Sequence, residues 1–147
     1  MKLNKNKGRK ILISIISAIV IVALMITVAG NCLLSVTEYN IKLYGLSGSA
    51  RVVVISDLHG KEFGRDNIRL LTKISEQKPD AIFVVGDMLS DSDAENDFFE
   101  TVNLLIELLD IAPVYFSYGN QEKEYSDDII TAFQNAITEA GVMVLDD

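Results

Sequence analysis

Residues 51–85 read RVVVISDLHGKEFGRDNIRLLTKISEQKPDAIFVV. The apolar runs at either end, RVVVIS (51–56) and AIFVV (81–85), are short, continuous and rich in β-branched residues, so each predicts a buried strand. Between them DNIRLLTKISEQK (66–78) predicts a helix, and Pro79 closes it because proline cannot continue one. Strand, helix, strand within about thirty-five residues is a βαβ unit, and its two strands must run parallel.

The same alternation continues downstream. DFFETVNLLIELLD (97–110) predicts a second helix, residues 114–118 a third strand, Asp127 to about Ala140 a third helix, and VMVL (142–145) a last strand. Ser126 stands at the N-cap position of the third helix, and Asp127 and Asp128 complement its dipole. The fold class is therefore α/β, with a mainly parallel sheet covered by helices. Upstream, VTEYNIKLY (36–44) puts Tyr39, Ile41 and Leu43 on one face by alternation, as an edge or lead-in strand does, and GLSGS (45–49) is a loop. The acidic stretch SDSDAENDFFE (90–100) reads as a solvated loop entering the second helix. It lacks the glycine and terminal glutamate spacing of a helix-loop-helix calcium site.

Ahead of this domain, ILISIISAIVIVALMITVA (11–29) contains no charged residue. At about 1.5 Å rise per residue it matches a hydrocarbon core of roughly 30 Å, and Leu33 and Leu34 extend it. Five basic residues and no acid precede it in residues 1–10, which predicts a basic cytoplasmic tail, a single-pass signal anchor over 11–34 and an exported domain over 36–147. The rival is a cleaved signal peptide, but the stretch exceeds the usual ~7–15-residue apolar region and has no A-x-A site. AGNC (29–32) matches a lipoprotein box poorly, because Asn31 stands where a small residue belongs. Cys32 is the only cysteine, so no intramolecular disulfide forms.

The soluble part carries 8 basic against 21 acidic residues, a balance of −13. Such a surface repels phosphate backbones and excludes sequence-independent nucleic-acid binding unless bound cations reverse the local field.

Position then becomes informative, since every strand of a parallel sheet delivers its C-terminal end to one edge, where ligands bind. The first strand is followed by SDLHG with Asp57 and His59, the second by GDM with Asp87, the third by GNQE with Asn120 and Gln121. Singly, an Asp after a strand makes a turn or cap, a lone His is a hydrogen-bonded residue, and Gly86 and Gly119 mark turns. Those readings weaken when they must hold at three converging strand ends at once. The mixed oxygen and nitrogen set suits Mn, Fe or Zn better than a structural zinc cage, which needs more Cys or His. Asp57 and His59 can clasp one ion, Asp87 can bridge two, and Asn120 can offer a neutral oxygen to the second. A metal pair of this kind activates water and clamps both oxygens of an in-line phosphoryl displacement.

DLH (57–59), GDM (86–88) and GNQE (119–122) resemble the D-x-H, G-D-x and G-N-H-E blocks of the calcineurin-like metallophosphoesterase family, in order and at suitable spacing. The apolar helix followed by VISDLHG is similar to the membrane-anchored bacterial members, which hydrolyse phosphomono- or phosphodiesters. The resemblance implies part of a layered α/β metallophosphoesterase sheet fold. It also implies two divalent ions, with Asp57 and His59 on one, Asp87 bridging and Asn120 on the other, and a phosphoester substrate. Glu122 takes the place of the glutamate that the family keeps around the site without ligating metal.

Two departures accompany it. Gln121 replaces the histidine thought to protonate the leaving group, and an amide is no general acid near neutral pH. The family's remaining histidines, including a G-H-x-H block, have no counterpart, because His59 is the only histidine. The resemblance thus covers residues 36–147 and the N-terminal half of the family domain, as in a truncated reading frame. Asp146 and Asp147 read as solvated terminal acids, with improvised ligation as the alternative. A catalytically inactive, metallophosphoesterase-like binding module is the second functional reading.

Overall fold

Four short strands, β1 (Val52–Ile55), β2 (Ala81–Val85), β3 (Val114–Ser117) and β4 (Met143–Val144), form one parallel sheet in the order β1-β2-β3-β4. The computed structural model describes residues 5–45, 47–89 and 94–145, with side chains over 7–25, 33–45, 47–89 and 98–145. Helix α1 (Lys5–Cys32) lies in one unit, Met1–Tyr39; the sheet lies in the second, Asn40–Asp147. Within α1, the stretch Lys7–Met25 is long and apolar enough to cross a membrane, by length and composition, and all its side chains are exposed.

In the second unit α2 (Ile68–Ser75), α3 (Ala94–Leu109) and α4 (Asp127–Ala140) connect successive strands. The register explains the core. Ile55, Val84 and Phe116 stand side by side on one face, with Ile82 beside Val114, and all are buried. Leu105 and Leu108 of α3 and Phe133 and Ile137 of α4 close over them, each 0% exposed. Phe133 meets Phe116 and Phe98 edge-on at 5.4 and 5.6 Å. Such tilted pairs add to the area the rings bury.

Among the described residues of this unit no helix covers the opposite face, contrary to the expectation from the apolar runs. Val54, Phe83, Tyr115 and Met143 form a row across all four strands, and Val54 is 63% exposed. The reason is the strand order. Right-handed crossovers between consecutive neighbours place every connecting helix on the same side of the sheet.

Three local expectations also change. The segment 36–44 forms no strand; Tyr39, Ile41 and Leu43 are exposed, and β1 pairs only with β2 among the described residues. Alternation prepares a strand, but without a partner it makes no ladder. Helix α2 begins at Ile68 rather than residue 66, after a 3₁₀ turn (Arg65–Asn67) in which Asp66 and Asn67 are left-handed. It ends before Pro79 can act, in a tightened turn where Gln77 and Lys78 N–H groups reach the carbonyls of Ile74 and Ser75. Residues 90–93 of the acidic loop and Asp146 and Asp147 lie outside the described residues, and α3 already starts at Ala94.

Helix α4 begins as expected, but Ser126 caps it only through its extended backbone: its carbonyl accepts from Ile130 N–H at 3.1 Å, and its hydroxyl makes no cap bond. Ser126→Ala is therefore expected to move the unfolding free energy by less than about 0.5 kcal/mol. Loss of a bonded cap costs about 1 kcal/mol, and urea unfolding separates the two outcomes.

Candidate metal centre

At the carboxyl edge of the sheet, the loops after β1 and β2 are joined by backbone hydrogen bonds in step. Asp57 N–H donates to Gly86 O at 3.2 Å, His59 N–H to Asp87 O at 3.1 Å and Gly60 N–H to Met88 O at 2.8 Å. This pairing continues the β1–β2 contact beyond the strands, but in left-handed backbone. Asp57, His59 and Asp87 have φ of 56°, 48° and 55°. Asp and His tolerate that region better than most residues, yet each such position costs on the order of 1 kcal/mol or more and persists only where its surroundings determine it. These three are candidate ligands; Asp66, Asn67 and Lys78 share the left-handed region elsewhere in the unit, so such strain accompanies the site without being confined to it.

The loop after β3 comes close enough to exclude any side chain. A Cβ on Gly86 would lie 2.8 Å from the Tyr118 carbonyl carbon and nearer still to Gly119. A Cβ on Gly119 would lie 2.6 Å from the Asp87 carboxyl carbon. Gly86 is itself left-handed, at φ 63°. These glycines are where the second and third loops touch, rather than turn markers alone.

Glu122 holds the same junction. It is 0% exposed, and each carboxylate oxygen accepts two backbone N–H groups. Oε1 takes Met88 at 2.7 Å and Leu89 at 3.2 Å; Oε2 takes Asp87 and Gly119, both at 2.8 Å. Four oriented donors replace the water that a buried carboxylate loses. Its position in GNQE was visible in the sequence, but its partners at residues 87–89 are more than thirty positions away and carry no local signal.

The candidate ligands are gathered to different degrees. His59 Nε2 lies 3.9 Å from Asp57 Oδ1, and both side chains are about half exposed. Donors about 2.0–2.2 Å from one ion lie no more than about 4.4 Å apart, so this pair fits a shared ion. Asp87 Oδ1 accepts the Gln121 N–H at 2.8 Å, leaving Oδ2 for another partner. Asn120 is exposed and Gln121 half-buried at the end of the same loop. Among the described residues no three His, Cys, Asp or Glu side chains converge on one point, so Asp87 does not join the Asp57–His59 pair. What unites the three is backbone: the paired loops and the Glu122 carboxylate.

The calcineurin-like phosphoesterase family model matches residues 50–141, which include β1 to β3 and Asp57, His59, Asp87 and Asn120. The chain belongs to this family. Calcineurin-like phosphoesterases generally use divalent metals, and membership suggests a phosphoesterase-type function. Comparison with curated proteins gives no match.

Proposed function

We propose that the protein is a membrane-anchored, metal-dependent phosphoesterase acting on phosphomono- or phosphodiesters. The observation that carries this reading is the joining of three strand-end loops, each bearing candidate ligands, inside the family match. Asp57 and His59 would hold one divalent ion, and Asn120 and Asp87, whose carboxylate Gln121 N–H orients, would serve a second; bridging by Asp87 is what the family resemblance implies and requires its carboxylate to move to the Asp57–His59 pair. Mn, Fe or Zn suits this donor set. When bound, the ions supply an activated water and neutralise charge on the phosphoryl oxygens. The domain is exported, with the basic residues 1–10 cytoplasmic and residues 11–34 spanning the membrane, supported by the apolar Lys7–Met25 stretch and the charge asymmetry around it.

The test is hydrolysis of bis(p-nitrophenyl) phosphate by the purified full chain with added Mn²⁺. Metal-dependent turnover is expected, and turnover equal with and without a chelator would reject the reading.

Gln121 favours a second reading, a family member that binds metal and phosphoester without turnover. Gln121→His separates the two. In a working hydrolase, a general acid at this place should raise the rate on a poorly activated alkyl phosphodiester by about 10²-fold and introduce a falling limb at high pH. A non-catalytic module gains neither.

A further inference from the structure

Resting on the proposed metal site, we infer that Glu122 is a positioning residue that sets the affinity of the site for divalent ions, through backbone alone and without touching the metal. Its two oxygens meet four N–H donors, of which Asp87 N–H belongs to a candidate ligand and Gly119 N–H precedes another. The carboxylate therefore fixes the left-handed backbone of Asp87 and the start of the Asn120 loop as one piece. Asp87 then closes the circuit, because its Oδ1 accepts from Gln121 N–H, the residue next to Glu122.

Only a carboxylate satisfies this junction. A glutamine has a single acceptor arm, so in either orientation its NH₂ faces two N–H donors. The loops must separate to relieve that contact, and Asp87 moves with them. Groups that orient ligands without binding the ion commonly change metal affinity by about 10–100-fold.

The experiment is Mn²⁺ titration of the full chain in detergent, at a temperature where circular dichroism shows each variant folded. Glu122→Gln is expected to bind Mn²⁺ at least about tenfold more weakly. Ile137→Val, a core change in α4 away from the loops, should leave affinity unchanged while lowering stability. Affinity of folded Glu122→Gln within twofold of wild type overturns the inference. Absence of Mn²⁺ binding by wild type instead overturns the proposed site, and this inference with it. Hydrogen exchange on the wild-type chain gives a reading that does not depend on the variant folding. By linkage, an opening of this junction that releases the ion must be slowed by Mn²⁺ at Asp87, Met88, Leu89 and Gly119 by as large a factor as global unfolding is slowed at Phe133. Slowing at Phe133 without slowing at those four amides overturns it as well.

Discussion

Gly86→Ala is expected to destabilise the domain by about 2–5 kcal/mol, from about 1–2 kcal/mol of left-handed backbone strain and about 1–3 kcal/mol of overpacking. The methyl would enter space held by the Gly119 backbone, which cannot rotate away as a side chain can. A shift of the third loop would relieve the overlap, but that loop is fixed by the Glu122 bonds to Asp87, Met88 and Leu89. Small domains hold about 5–15 kcal/mol in all, so this one methyl removes a large share. In urea the midpoint should fall by at least about 1 M with little change in slope. An unchanged midpoint would mean that the second and third loops are not packed as described.

Asp87→Asn is expected to lower metal-dependent hydrolysis by about 10³-fold or more, equivalent to about 4 kcal/mol of transition-state stabilisation. Asn keeps the carbonyl that accepts Gln121 N–H, so the loop geometry survives. It loses the charge and the second acceptor, and with them the ability to bridge two cations. Folding and activity should therefore separate, with a urea midpoint near wild type and turnover near background. Retained activity would remove Asp87 from the site and leave the three-loop account without its centre.

Much of the fold is legible in the sequence because burial writes continuous apolar runs. AIFVV marks β2 at its observed bounds, and the periodic stretch after Ser126 marks α4. Which face of the sheet is covered is not legible in the same runs. Val54 and Phe83 are as apolar as Ile55 and Val84, and only the strand order shows which pair lies under helices. The segment 36–44 fails for a related reason, since pairing is a property of two strands and alternation of one.

The site divides in the same way. Asp57, His59, Asp87 and Asn120 are legible as candidates from the rule that parallel strands share an edge. The left-handed backbone of Asp57, His59 and Asp87 is not, because Asp and His occur in several backbone regions and residue type alone does not select one. Gly86 and Gly119 look like turn glycines until their loops are seen in contact, and the partners of Glu122 lie too far along the chain for any local pattern to reveal.

The measurement closest to the central claim is Mn²⁺ binding to the purified full chain by titration calorimetry, with Asp57→Asn alongside. Saturable binding of two ions by the wild-type chain, with at least one lost in Asp57→Asn, is the predicted result. Binding that is absent, or identical in the two proteins, would contradict a metal centre at the ends of these strands.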